Sequence, residues 1–220
     1  IPGVGKTLFV SALAEAFYLD FERVNLETSQ ASLELMGTAR GWSNAQPGML
    51  FRWMIRSEFA NGVCVMEELD KAGQTNAQYP IANSLLQLLE LTTAKRFGDL
   101  SVPELKLDLS KINFLFTANN LDGIHSALQS RLIAYNVPEL TPAQAKSVAL
   151  RQYEDMIKDL RLPGNSPELT PAGLALLSQE SPRRQRLMLQ LAIGAAVYRQ
   201  SKELVFQKTS APKKGIGFVI

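Results

Sequence analysis

The spacing of apolar positions changes along the chain, and the change divides it. Residues 8–18 place Leu8, Val10, Leu13, Ala14 and Phe17 at helical intervals, forming one broad apolar face. Residues 21–26 alternate Phe, Val and Leu in part with Glu, Arg and Asn, which predicts a strand. Residues 27–48 are polar, with room for one short helix, and residues 49–60 have helical spacing. Residues 63–66 are a short continuous apolar run, as expected of a strand covered on both faces. A polar loop over 72–80 and a Leu-rich helix over 81–91 follow. Leu105, Leu107 and Leu109 alternate with Lys106 and Asp108, predicting a short exposed strand, and residues 112–117 and 132–137 predict two further buried strands.

Strands alternating with helices imply an α/β fold, a layered core with a mostly parallel sheet. After Val137 no further strong strand pattern appears before the tail. Thr141-Pro142, Thr170-Pro171 and Ser181-Pro182 each place a hydroxyl at an N-cap and a proline at the first helical position, where a missing N–H costs nothing. Three helices are therefore expected. The first presents Ala145, Ala149, Tyr153, Met156, Ile157 and Leu160 on one face, and the third is apolar almost all round and expected to be buried. The expected division is an α/β core over 1–138, a helical domain over 139–205 and a tail over 206–220.

Composition narrows the chemistry. A formal charge of +2, from 23 basic and 21 acidic residues, argues against a dedicated electrostatic nucleic-acid binder. Cys64 is the only cysteine and His125 the only histidine, which excludes an internal disulfide and a four-thiolate metal site and disfavours Cys/His or Ser/His catalysis. The most apolar stretch, 187–198, is broken by Gln190 and Gly194 and is too short to span a bilayer. With no spanning segment and no signal peptide, a cytoplasmic protein is expected. The sequence lacks an initiator Met and opens inside a motif, so it reads as part of a longer protein, with nucleotide binding by the isolated piece expected to be weak or lacking.

That motif is Ile-Pro-Gly-Val-Gly-Lys-Thr, which matches G-x-x-x-x-G-K-[ST] from its second position onward. Gly3 and Gly5, with Val4 between them, let successive N–H groups curl around phosphate oxygens. The helix starting near Lys6 points its positive end at the same place, and Leu8 in its first turn is counted with the nucleotide-binding residues. Lys6 supplies a mobile charge to the β- and γ-phosphates, and Thr7 offers a hydroxyl to Mg²⁺. The buried run at 63–66 then delivers two adjacent carboxylates. Glu67 is expected on the metal or its water shell, and Glu68 is expected to polarise the attacking water. Asn119 ends the next buried strand and is the candidate to orient the lytic water or touch the γ-phosphate, the competing reading being a turn-starting Asn. Arg131 and Arg183 are each placed to meet phosphate, Arg131 on a neighbouring subunit's nucleotide and Arg183 on its own. Solvation at the surface is the simpler account of either when taken alone.

The order PGVGKT, RGWSNAQPG, VCVMEELDK, NSLLQLLEL, LDLSKINFLFTANN, ALQSRL, SPRR resembles the AAA+ ATPases, and among them most closely the ATPase module of the Lon protease family, over residues 1 to about 190. The resemblance implies a P-loop NTPase core with a three-layer αβα arrangement, its first strand lying before Ile1, and an all-α lid. It implies ATP and Mg²⁺ as ligands, with Gly3 to Thr7 as Walker A and Glu67-Glu68 as Walker B. Asn119 falls at the position of sensor 1, Arg131 at the arginine finger and Arg183 at sensor 2. It further implies a ring of this chain's own kind, a hexamer, acting on polypeptide, with Trp42 and Ser43 at the substrate-gripping pore-loop position; the alternative for Trp42 is a buried anchor.

Two departures accompany the resemblance. Glu67 stands where the family usually has Asp, one methylene longer, which puts full turnover in question. No Ser/Lys dyad motif of the Lon proteolytic domain occurs. Two other functions stay open at this point. One is a nucleic-acid motor of the same superfamily, disfavoured because Arg40 is the only basic residue in the Trp42 loop. The other is an ATP-gated scaffold that does not hydrolyse.

Overall fold

The computed structural model describes residues 5–28, 30–72, 80–161 and 166–206. The predicted loop over 72–80 and the tail thus lie largely outside the described residues, as do Gly3 and Val4. One compact unit is Lys6–Asn136, and a second begins at Val137.

The first unit is built on three parallel strands in the order β1 (Phe21–Asn25), β2 (Val63–Glu67), β5 (Asn113–Phe116). Parallel neighbours need crossovers, and the crossovers supply the covering layers. Side chains alternate along β2. Val63 and Val65 pack with Ala14 of α1 (Lys6–Ala16) on one face. Cys64 and Met66 enter the main core on the other, with Val24, Leu26, Leu35, Leu50, Trp53 and Leu85. That second face is covered by α2 (Ala31–Met36), α3 (Met49–Arg56) and α4 (Ile81–Leu89). Short α5 (Leu91–Ala94), the antiparallel pair β3 (Phe97–Gly98) and β4 (Lys106–Leu107), and α6 (Ser126–Gln129) complete the unit. Burial, with the Glu22 charge adding to it, pushes the Cys64 thiol up to about 12. A thiol reagent is therefore expected to leave Cys64 untouched in native protein and to label it only after denaturant is added; labelling at equal rates in both states would contradict this burial.

Several expectations fail in the first unit for identifiable reasons. Residues 132–137 form no strand, and Ile133 and Tyr135 are 81% and 84% exposed. A strand needs a partner for its N–H and C=O groups, and among the described residues β5 is paired only with β2. The apolar face of α1 is also mostly uncovered. Leu8 and Phe17 are exposed, and Ala14 is its one buried residue. The exposed strand at 105–109 reduces to Lys106–Leu107, and Leu109 is buried in the core.

In the second unit the three caps form as expected. Thr141, Thr170 and Ser181 accept from backbone N–H groups at the starts of α7 (Pro142–Leu160), α8 (Pro171–Leu177) and α9 (Pro182–Arg199). Thr141 and Gln144 form a full capping box. These helices share a core of Ala149, Leu174, Leu177, Leu189, Ile193 and Ala196. Tyr153, Met156 and Ile157 pack against it, whereas Leu160 is exposed. Contrary to its composition, α9 is buried on one side only, with Leu191, Val197 and Tyr198 exposed.

Candidate nucleotide-binding site

The chemistry-bearing side chains meet at the C-terminal ends of the parallel strands, where α/β sheets habitually place ligands. Gly5 has φ of +93°, a left-handed conformation that favours glycine, and leads into the first turn of α1. Lys6 then reaches the end of β5, where its Nζ donates to Ala118 O at 3.0 Å and to Asn119 Oδ1 at 2.9 Å. Thr7 Oγ1 donates to Glu67 Oε1 at 2.5 Å. Two consecutive residues at the start of α1 thus reach the ends of two neighbouring strands, Thr7 to Glu67 at the end of β2 and Lys6 to Asn119 beyond β5.

Register explains how Glu67 is held. β1 and β2 pair Arg23 with Val65 and Asn25 with Glu67, so the odd-numbered residues of both strands share the α1 face. Arg23 lies one pleat before Glu67 on the adjacent strand, within reach of a long side chain. Its Nη2 donates to both Glu67 oxygens, at 3.0 and 2.9 Å. Burial works to raise the pKa of Glu67. The hydrogen bonds from Thr7 and Arg23, with the Arg23 charge, outweigh it and hold the carboxyl below its ordinary range.

Glu68 is the next residue, and its backbone is left-handed at φ +62°. For a residue with a Cβ this conformation costs about 1–2 kcal/mol. The turn is retained by Leu69 N donating to Thr117 O at 2.9 Å and Glu68 N donating to Thr117 Oγ1 at 3.3 Å. Strain held this firmly at the end of a strand re-aims the side chain. The Glu68 carboxylate accepts from Lys71 Nζ at 2.9 Å, and Lys71 also donates to Glu27 Oε1 at 3.1 Å. These two bonds push the Lys71 ammonium above its ordinary value.

Among the described residues no cluster of three or more His, Cys, Asp or Glu could cage a metal ion. The donors present, the Thr7 hydroxyl and the Glu67 carboxylate, are hard oxygens of the kind Mg²⁺ takes when phosphates supply the remaining ligands. The Thr7 proton is committed to Glu67, which leaves the lone pairs of its oxygen for a cation. The residues therefore fit a nucleotide-borne Mg²⁺, which Thr7 and Glu67 would hold and whose chemistry would be to neutralise charge on the phosphates.

The hydrogen bonds of Lys6 to Ala118 and Asn119 and of Thr7 to Glu67 involve none of the other candidates. Arg131 follows α6, donates to Ala127 O at 2.8 Å and stands 3.7 Å from Glu90. Arg183 is exposed in the first turn of α9, in the second unit, and Leu8 is exposed on α1. Trp42 is 49% exposed, and Ser43 beside it is exposed, so Trp42 is no buried anchor; that role belongs to Trp53. The Trp42 loop is held from beneath. Asp99, 1% exposed, accepts from Gly48 N at 2.7 Å and from Ser101 N and Oγ at 2.8 and 2.7 Å. At Gly37, φ is +78° and an added Cβ would lie 2.5 Å from Asp99 Oδ1, so this end of the loop requires glycine. Arg40 is paired with Glu104 through two 2.7 Å bonds and donates to Ser101 O.

Sequence reasoning missed Arg23, Lys71, Thr117 and Asp99. Strand alternation put Arg23 on one face of its strand, but only the register says which face meets Glu67. Nothing in the sequence marks Asp99, which sits in a loop.

A parallel sheet with a lysine and a hydroxyl from the first helix turn facing a strand-end carboxylate defines a P-loop nucleotide-binding core. The family model "ATPase family associated with various cellular activities (AAA)" matches residues 1–138, and the chain belongs to that family. Its module is of Lon type. It is 33% identical over 195 residues to the Lon protease of Lawsonia intracellularis, covering 81% of this chain and 23% of that protein. It is 33% identical over 152 residues to the peroxisomal Lon protease homolog 2 of Oryza sativa subsp. indica, covering 68% and 17%. Against the Lon protease of Malacoplasma penetrans it is 28% identical over 213 residues, covering 94% and 27%. The chain therefore spans about a quarter or less of these relatives. No helix among the described residues is long and apolar enough to cross a membrane.

Proposed function

We propose that this chain is the ATP-binding and ATP-hydrolysing module of a cytoplasmic, Lon-like ring motor that unfolds, threads or remodels protein substrates. Residues 1–138 form its nucleotide-binding core and 139–205 its lid. The observation that carries the reading is the convergence of Lys6, Thr7, Glu67, Glu68 and Asn119 at the ends of two neighbouring parallel strands. Lys6 and Thr7 serve the phosphates and Mg²⁺, Glu68 activates water, and Asn119 senses the γ-phosphate. Arg131 acts on the nucleotide of the next subunit in a hexameric ring, and Arg183 on its own.

Trp42, exposed on a loop stapled at its base, is the polypeptide-gripping residue, with Ser43 beside it. The same loop disfavours the nucleic-acid motor, because its lone basic residue, Arg40, is engaged by Glu104. The test is remodelling of a protein substrate by full-length protein. Trp42→Ala is expected to lose remodelling while keeping ATP affinity; if the variant remodels as well as wild type, the pore role is wrong. Stimulation of ATPase by DNA would instead favour the nucleic-acid motor. An ATP-gated scaffold is the second reading, motivated by Glu67 being engaged by Arg23.

A further inference from the structure

We propose that Arg23 is a built-in counter-cation for Glu67, and that by occupying this carboxylate it lowers the dependence of nucleotide binding on Mg²⁺. The inference rests on the reading of Lys6–Thr7–Glu67 as a nucleotide site.

Two adjacent carboxylates opposite a triphosphate repel it unless cations intervene. Usually the nucleotide's metal performs that task. Here each carboxylate already carries a cation from the chain itself, Arg23 on Glu67 and Lys71 on Glu68, both at 2.9 Å. The Arg23 contact is the more consequential, because Glu67 also takes the hydroxyl of Thr7, the residue that faces the metal. Both Glu67 oxygens are engaged by Thr7 and Arg23 before any metal ion arrives.

Glu also has one more rotatable bond than Asp. A guanidinium contacting both oxygens removes that freedom and points the longer side chain at Thr7. The Glu67 side chain is 20% exposed and that of Arg23 53%, so water weakens the pair without erasing it. Over the further distance from Arg23 to the phosphates, screening leaves an effect of about tenfold in affinity.

The experiment titrates full-length protein with a fluorescent ATP analogue, once in excess Mg²⁺ and once in EDTA, and takes the ratio of the two dissociation constants. In Arg23→Gln this ratio is expected to rise about tenfold over wild type, chiefly through weaker binding in EDTA. Arg23→Lys, which keeps the charge, is expected to stay near the wild-type ratio. In a Glu67→Gln background, removing Arg23 is expected to leave the ratio unchanged or to lower it, because no carboxylate remains to be compensated. Arg23→Met, which preserves the packing of the aliphatic stem, replaces Arg23→Gln if the latter does not fold. Nucleotide binding with the same ratio in wild type and the charge-removing variant overturns this proposal alone. A Lys variant shifted as far as the Gln variant also overturns it. No nucleotide binding by wild type in either condition overturns it together with the nucleotide-site reading.

Discussion

Glu68→Gln is expected to lower steady-state ATP hydrolysis by full-length protein about 100-fold or more, the usual contribution of a general base. That fall corresponds to about 2.7 kcal/mol of transition-state stabilisation. The amide is nearly isosteric and still accepts from Lys71, so the strained turn at Glu68 keeps its bonds to Thr117. In excess Mg²⁺, nucleotide affinity is expected to change little, because Lys6 and Thr7 keep their bonds to Asn119, Ala118 and Glu67. Phosphate release and analogue binding measured on the same preparation separate the two effects. Turnover within a few-fold of an active wild type would remove Glu68 from the base role. Equal rates near background in both proteins would favour the scaffold reading.

Asp99→Ala is expected to destabilise the core unit by about 3 kcal/mol or more. Its carboxylate gathers two backbone N–H groups and a hydroxyl in a site almost closed to water. Truncation leaves Gly48 N–H and Ser101 N–H buried without an acceptor, at about 1–3 kcal/mol each. Asp99→Asn retains an acceptor and is expected to lose less. Urea denaturation followed by circular dichroism measures both variants. A loss under about 1 kcal/mol for Asp99→Ala would mean that water replaces the carboxylate, and the loop would then not be stapled as described. The functional corollary is that remodelling fails in Asp99→Ala before nucleotide binding does, because the hydrogen bonds of Asp99 run to Gly48 and Ser101, at the base of the Trp42 loop.

The legible parts of this chain were those set by short-range physics. The run Val63–Met66 carried the pattern of a covered strand, and Thr141-Pro142, Thr170-Pro171 and Ser181-Pro182 carried the cap-and-proline signal of a helix start. The phosphate motif was readable because a tight anion-binding loop demands glycine, lysine and a hydroxyl at fixed spacing. Illegible were the features that depend on which elements lie side by side. Residues 132–137 have a strand's composition, yet a strand exists only with a neighbour. The apolar face of α1 looked like core because composition cannot say whether anything covers it.

What the sequence determined by itself was the kind of site: a phosphate loop, two carboxylates at a strand end and an Asn one strand over. Periodicity and turn chemistry act within about ten residues, and they sufficed for that. What the tertiary structure alone decided is the state of those groups. The parallel register of β1 on β2 sets Arg23 against Glu67. The bonds to Thr117 hold Glu68 in a left-handed turn, and Glu27 is brought to Lys71. Pairings between residues 44 or more positions apart, as Arg23 with Glu67 is, follow from strand order and side-chain reach, and neither is written in local spacing.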